Sequence, residues 1–325
     1  MEDKKYKIIE TNSDSDWDNF LRKTENQNIY SSSDMINSSN FDPKRYFIKK
    51  KDEIFASFHL LFNRKKIDLG DRIYTPLNFK IFEKQNSASI KYKKFEIIET
   101  YANFLYNNFK EGNICFDYST ADLRPFYWIN FNMKKQVFST KFVKYTSILN
   151  LKEFSDFTDY SEITSNNFFK NFSRSLKQQI SKSVDEQFSF KEEFDFDFFK
   201  NTFEKNLSKQ KSKIDINFSS LKKVYENLYN KKNLYMFLSL KNNRKTSFCI
   251  FGVIGKKAIY LNGGRILNSN DDNSLTHNLL MSLSILKKRG VETLDLEGVN
   301  SPKRGFWKLA FGGEIKPYYH LSFKF

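Results

Sequence analysis

The sequence predicts an α+β protein made of two similar units divided near residue 152. Three observations carry that expectation. At 325 residues, either half is long enough to bury its own core. A hydrophobic content of 39% with 17% aromatic residues is that of a globular chain, with phenylalanine supplying much of the core. Strand-like runs alternate with helical stripes, and the second half repeats the order of elements found in the first, in organisation rather than in sequence identity.

In the first half, Asp14 to Glu25 predicts a short helix capped by Ser13 or Ser15, with Trp17, Phe20 and Leu21 on one face. Asn28 to Asn40, rich in Ser and Asn, reads as loop. Arg45 to Lys51 and Glu53 to Phe62 predict a hairpin, and Arg72 to Phe82 a third strand with Pro76 at an edge or bulge. Phe95, Ile98, Ala102 and Leu105 fall at helical spacing over Phe95 to Asn107, with Gly112 as the stop. Strands over Asn113 to Tyr118 and Lys141 to Leu151 close the half.

In the second half, Phe168, Phe172, Leu176 and Ile180 form one stripe of a helix over Asn166 to Ser183. Phe194 to Lys209 and Ser219 to Asn230 predict two more amphipathic helices, the first ending in a charged linker over Lys209 to Lys213. Leu234 to Leu240, Ser247 to Ile254 and Ala258 to Asn262 read as three strands. After a polar loop, Leu275, Leu279, Leu283 and Leu286 mark a helix over Thr276 to Lys288, stopped by Gly290. His320 to Lys324 predicts the last strand.

The chemistry concentrates in Thr293 to Gly313. Leu294 and Leu296 alternate with Asp295 and Glu297, the period-2 pattern of a strand with one polar face. Two carboxylates on one face are costly if buried unpaired, so the strand expects a polar cleft or cationic partners. Gly298 ends the strand, and Asn300, Ser301 and Pro302 are turn residues. Lys303, Arg304 and Lys308 then bring three cations near the carboxylates in sequence, Gly305 removes bulk beside Arg304, and Gly312 and Gly313 permit a tight turn or a close backbone approach. The expectation is a strand end, a glycine-bearing loop and a mixed-charge site.

The run from Asp295 to Gly313, Asp-Leu-Glu-Gly-Val-Asn-Ser-Pro-Lys-Arg-Gly-Phe-Trp-Lys-Leu-Ala-Phe-Gly-Gly, resembles the C-terminal signature of the FemAB-like branch of the GNAT-fold acyltransferases. That branch includes the peptidoglycan aminoacyltransferases and relatives in surface-polysaccharide gene clusters. Its signature sets an acidic strand before a glycine, then Phe-Lys and Phe-Gly. Asp122 to Trp128 and the Tyr30–Ser32 loop resemble the same branch. The resemblance implies two tandem GNAT-like units, residues 1–151 and 152–325, each a mixed, mostly antiparallel sheet flanked by helices. One departure stands out: nothing between Asp185 and Leu234 is long enough for the coiled-coil arm of the staphylococcal-type enzymes.

The resemblance also implies roles. Acyl transfer to an amine needs a neutral amine, a polarised carbonyl and close placement of the two. Lys308 falls on the Phe-Lys position and is the candidate for stabilising the oxyanion. Asp295 and Glu297 are candidates for taking the amine proton or holding the amine; the alternative is simple ion pairing to Arg304 or Lys303. Arg304 and Arg174 suit a diphosphate through their planar forks, with a solvated helix face as the other reading of Arg174. Asn300, Gly305, Gly312 and Gly313 join them as substrate-binding candidates. Tyr30 and Ser32 would line the donor side, against the reading of a solvated loop. Arg124 is a further binding candidate, set against a structural hold on Asp122 or Asp117.

The implied reaction forms an amide on an amine of a cell-envelope precursor, an amino sugar or a peptidoglycan peptide, bound in the cleft between the units. The donor would be a co-substrate, aminoacyl-tRNA or acyl-CoA, with no tightly bound cofactor. The loop from Gly264 to Ser274 lacks the Arg/Gln-x-x-Gly-x-Gly/Ala spacing that cradles the CoA pyrophosphate, and Asp271 and Asp272 would repel phosphate, which disfavours acetyl-CoA.

Other classes find no support. P-loop, dinucleotide and Gly-x-Ser-x-Gly patterns are absent, and His59, His277 and His320 are scattered without metal-ligand spacing, so no metal is expected. Cys115 and Cys249 sit far apart in apolar runs and read as reduced core residues. No run approaches the roughly 20 apolar residues of a membrane helix. No apolar h-region follows Met1 to Lys5, so a cytoplasmic location is expected. The net charge of +16 suits tRNA or other RNA, a nucleotide-sugar pyrophosphate or peripheral contact with an anionic membrane, and Lys-, Asn-, Phe- and Ile-rich codon bias accounts for it equally. The alternative to an enzyme is a GNAT-like module without catalysis that binds RNA or a glycan.

Overall fold

The computed structural model describes residues 6–70, 72–83, 85–132, 136–209, 216–266 and 273–324. Met1 to Lys5, most of the expected Lys209–Lys213 linker, and Asp271 and Asp272 in the loop before the Leu275 helix lie outside the described residues. The chain divides into two compact units, Met1–Lys144 with Pro317–Phe325, and Tyr145–Lys316.

The first unit begins with β1 (Lys7–Thr11), α1 (Asp14–Leu21), α2 (Ser33–Asn37), β2 (Asp42–Lys50), β3 (Glu53–Asn63), β4 (Lys66–Asp68) and β5 (Asn78–Phe79). It continues with α3 (Ser87–Asn108), β6 (Glu111–Cys115), α4 (Arg124–Trp128) and the start of β7 (Phe138–Asn150). The second unit holds α5 (Arg174–Val184), β8 (Ser189–Glu192), α6 (Phe196–Lys209), α7 (Phe218–Asn230), β9 (Leu234–Lys241), β10 (Arg244–Ile254) and β11 (Lys257–Arg265). Then come α8 (Ser274–Lys288), β12 (Thr293–Gly298), α9 (Pro302–Leu309) and the start of β13 (Glu314–Lys324).

Each unit uses the same device. In the first, β1, β2, β3 and β4 pair antiparallel in order, and β4 meets β6 in parallel at Ile67 and Gly112 after the chain has crossed through α3. In the second, β8, β9, β10 and β11 pair antiparallel, and β11 meets β12 in parallel after crossing through α8. A parallel pair needs a long crossover, and a helix supplies it while covering one face of the sheet. In the first core Phe58 packs on Tyr101 at 4.2 Å between ring centroids, and Phe116 and Phe126 close around them. In the second, Leu279, Leu283 and Leu286 of α8 meet Phe237 and Phe251 of the sheet. Burying each such side chain stabilises the fold by about 1.5–3 kcal/mol.

The division differs from the expected break after residue 151. Strand β7 runs across it, and the tail, assigned by sequence to the second unit, returns to the first. His320–Lys324 pair antiparallel with Cys115–Glu111, and Leu321 and Phe323 enter the first core. Hydrophobic alternation marks a strand but not its partner, so this exchange has no sequence signal.

Side-chain capping accounts for most other corrections. The expected Asn28–Asn40 loop holds a 3-10 turn at Ile29–Ser31 and then α2, because Asn28 accepts from the Tyr30 amide and Ser32 from the Met35 amide. The expected helix over Asn166–Ser183 breaks at Phe172, where Asn166 caps a 3-10 turn and Ser173 caps α5. Helix α3 starts at Ser87, capped by Asn86, and Gly112 is a residue of β6 rather than a helix stop. Of the expected third strand over Arg72–Phe82, Asn78 and Phe79 join a ladder, to Ser57 and Ala56, and Lys80 makes an isolated bridge to Thr24. The short strands β1, β4 and β8 went unread.

His59 of β3 is wholly buried opposite Arg45 of β2, and neither ring nitrogen has a hydrogen-bond partner among the described residues. Burial, then the charges of Arg72 and Arg45, push its pKa down to about 3. The unfolded chain therefore binds the proton first as pH falls below about 6.5, and the neutral ring's contribution to stability is lost as pH drops toward the folded value. Between pH 7 and pH 5, wild type should lose about 2 kcal/mol more stability than His59→Gln. Urea unfolding of both proteins at the two pH values checks this; equal losses would contradict it.

Candidate active site

The acidic strand β12, in the second unit, carries the candidate carboxylates. Its parallel ladder with β11 runs from Thr293 to Asp295, which pairs with Ile259, and goes no further. Strand β11 continues to Arg265 against β10, so the two parallel neighbours part beyond Asp295. On the other side β12 pairs with β7, and the register slips by one residue between Asp295, opposite Ile148, and Gly298, opposite Thr146. That is a β-bulge. Glu297 carries it with φ +57°, a backbone region that costs a non-glycine residue about 1 kcal/mol or more.

The carboxylates divide the work. Asp295 is 5% exposed and Glu297 6%. An Asp295 oxygen accepts from the Thr146 hydroxyl and from the Glu297 amide at 2.7 Å. Asp295 thus ties the bulge to β7 and fixes the strained residue after it. Alternation predicted one polar and one apolar face; instead Leu294, Asp295, Leu296 and Glu297 are all buried, because the bulge turns the strand end and both faces are covered.

The expected glycine-bearing loop is largely a helix. Pro302 opens α9 at its first position, where a missing N–H costs nothing. Gly305 lies against the backbone of Val299, and a β-carbon there would fall 2.3 Å from the Val299 oxygen. This close approach brings Lys308, one turn on, back toward the strand. The half-buried Lys308 Nζ donates to the Gly298 oxygen at 3.4 Å and stands 5.4 Å from the centre of the Tyr260 ring. Burial pushes the Lys308 pKa down, Glu297 and then Asp295 oppose that shift, and Arg304 adds to it.

Tyr260 was not singled out by sequence, where it is one aromatic residue in a strand-like run. It is 5% exposed, and burial, then Cys249 and Glu297, raise its hydroxyl well above the ordinary range. Lys308, Glu297, Asp295 and Tyr260 therefore form one electrostatic cluster where β11 and β12 part. Only the position of β11 next to β12 could have revealed Tyr260.

The remaining candidates fall into place around this cluster or elsewhere. Asn300 spends its side chain on Tyr145 of β7, accepting from its amide at 2.8 Å and donating to its carbonyl at 3.1 Å, so it extends the ladder. Arg304 and Lys303 are exposed on α9. Gly312, at φ +73°, lies where a β-carbon would meet the Asn171 oxygen at 2.4 Å, and Gly313 backs onto Ser147 and Ile148 of β7. Arg174 is exposed at the first position of α5, beside the Ser173 amide that donates to Ala310 at 2.9 Å.

In the first unit, Tyr30 packs edge-on against Tyr74 and Ser32 caps α2, both buried rather than solvated. Their turn is anchored by Asn28, which donates to the buried Asp117 at 2.9 Å. Arg124 forks onto Asp122 at 2.9 and 2.6 Å. Both cysteines are buried free thiols. Among the described residues no group of three or more His, Cys, Asp and Glu could hold a metal ion, and no helix is long and apolar enough to cross a membrane.

The contact at Gly305 gives a direct test. Gly305→Ala should cost about 1–3 kcal/mol by overpacking against Val299 and should displace α9 with Lys308. Thermal unfolding together with a crystal structure of the variant checks both. An unchanged melting temperature with α9 in place would contradict this packing.

The fold is similar to those of solved proteins. FemX matches over 98% of this chain and 97% of its own, with a TM-score of 0.66 at 12% identity. The C-terminal domain of a protein described as a lysylphosphatidylglycerol synthetase, from Agrobacterium fabrum, matches over 96% of this chain and 93% of its own, with a TM-score of 0.55 at 8% identity. L-PGS from Bacillus licheniformis matches over 86% and 84%, with a TM-score of 0.51 at 9% identity. No protein-family model and no curated protein matches the sequence. At these identities the likeness is one of fold: the chain shares the fold of FemX, an α+β protein here divided into two units with a mixed, mostly antiparallel sheet flanked by helices.

Proposed function

We propose that the protein is an acyltransferase that forms an amide on an amine of a cell-envelope precursor, with Lys308 and Glu297 at the reacting groups. The observation that carries this reading is the Lys308–Glu297–Tyr260 cluster at the parting of β11 and β12. The FemX-like fold and the likeness to a domain named for an aminoacylated phospholipid support the aminoacyl class of reaction.

In this reading the Glu297 carboxylate takes a proton from the acceptor ammonium, and the freed nitrogen attacks the donor carbonyl. A C–N bond forms and the carbonyl oxygen gains charge, which the Lys308 ammonium stabilises in a site of low dielectric. The bond to the leaving oxygen or sulfur then breaks, the second proton of the attacking nitrogen passes to the leaving group, and Glu297 returns the first proton to solvent. Asp295 is a positioning residue: it holds the bulge that aims Glu297. Tyr260, its proton held firmly by burial, sets a neutral ring 5.4 Å from the ammonium. The donor enters as a co-substrate, an aminoacyl ester on tRNA or an acyl thioester.

The test is a mass-shift assay of amine-bearing nucleotide sugars and wall precursors, each with charged tRNA and with acyl-CoA. Transfer is expected with one donor class. Lys308→Ala should lower kcat about 100-fold or more and Glu297→Gln by a similar factor, while Lys303→Ala, on the exposed side of α9, should leave kcat unchanged. No transfer from either donor class, or full activity in Lys308→Ala, would overturn the reading.

A further inference from the structure

The second unit contains a cavity that the cluster around Lys308 does not use. It has a volume of about 520 Å³ and lies among the Phe157–Ser161 segment, the end of α5, the start of β8 and helix α8. Pockets of roughly 300–1,000 Å³ are the usual size for small organic ligands. Its wall is aromatic and aliphatic, with Phe157, Tyr160, Phe188 and Phe190 facing Met281 and Ile285 of α8. Neighbouring residues of α8 look to different places. Thr276 accepts from the Trp307 indole at 3.3 Å, on the side of α9, while the next residue, His277, lines the cavity.

His277 is the most deeply buried ionisable side chain of this cavity. Its ring is 2% exposed and sits 4.5 Å from the Tyr160 ring and 5.2 Å from the Phe188 ring, between centroids. Nδ1 is hydrogen-bonded to the Ser239 hydroxyl of β9 at 2.7 Å, which fixes the ring plane. Nε2 has no partner among the described residues, yet it is not sealed from solvent as the His59 nitrogens are, so it opens on the cavity. Of the other polar side chains there, the Tyr160 hydroxyl pairs with Ser183 at 2.8 Å, Lys288 donates to the Phe157 carbonyl at 3.2 Å, Asp159 accepts from the Ser161 amide at 2.8 Å, and Gln187 is exposed. Burial lowers the His277 pKa to about 4, so the ring is neutral at pH 7.

We propose that this cavity binds a small uncharged aromatic compound bearing one hydroxyl, stacked among the phenylalanines with its hydroxyl on His277 Nε2. A neutral imidazole nitrogen serves such a group in either tautomer, since a hydroxyl can donate or accept. An aromatic wall favours a planar ring; Lys288 and Asp159, of opposite charge, are exposed, so among the ionisable side chains of the buried wall the neutral imidazole and the Tyr160 hydroxyl are what a ligand meets, and neither favours a carboxylate or phosphate. The inference stands on the Phe157–Ser161 segment, α5, α8, β8 and β9 and does not depend on the transferase reading.

The probe is 2-naphthol, with naphthalene as the partner that lacks the hydroxyl, titrated at pH 7 against the full-length protein by fluorescence and calorimetry. The expected result is one 2-naphthol site, bound at least tenfold more tightly than naphthalene. His277→Phe, which keeps a ring but removes the nitrogen, should weaken 2-naphthol about tenfold and leave naphthalene unchanged. Circular dichroism checks its fold; should it not fold, Met281→Trp, which fills the cavity from its half-buried wall, decides by abolishing binding. No saturable 2-naphthol site in wild type, no preference over naphthalene, or undiminished binding in the folded variant would overturn the proposal.

Discussion

The candidate active site depends on one carboxylate that acts on its own strand. Asp295 receives the Thr146 hydroxyl from β7 and the Glu297 amide from two residues on. A buried carboxylate is stable when such donors satisfy it, and these two also decide the shape of the chain around it. They hold Glu297 at φ +57°, strain that a strand end would otherwise relieve by straightening. With the bulge in place, β12 leaves β11 after Asp295.

The rest of the second unit supports that arrangement. Helix α8 carries the chain across to make β11 and β12 parallel neighbours, and its Asn278 donates to the carbonyls of Phe237 and Ser247 at 3.0 and 3.2 Å, which pins the helix to β9 and β10. Helix α9 lies close on Val299 because Gly305 has no side chain, and this brings Lys308 within the field of Glu297. A lysine drawn out of water beside a carboxylate is poised between two opposed effects: burial disfavours its charge and the carboxylate restores it. That balance is what a group meeting a developing oxyanion requires.

Much of this was legible in the sequence, and the parts that were not share a cause. Asp295, Glu297 and Lys308 stand out in the sequence because charges interrupt an apolar alternation just before a Pro- and Gly-marked segment. Helix α9 was read as loop because Pro302 and Gly305 are loop residues by composition; here one starts the helix and the other lets it pack. Asn300 looked like a binding residue because a polar turn residue near carboxylates has no local sign of its partner, which is Tyr145, 155 positions away. The same holds for Thr146 under Asp295, for Tyr260 beside Lys308 and for the tail strand's pairing with β6. Local periodicity writes the elements, whereas register and crossover decide which residues meet.

The most direct measurement of this account is the titration of the Lys308 side chain by NMR, in wild type and in Glu297→Gln. The account predicts a pKa below the ordinary lysine range of about 10.4 in wild type and a further drop in the variant, because the carboxylate that restores the charge has been removed. A Lys308 that titrates like a surface lysine, and does so identically in both proteins, would contradict it.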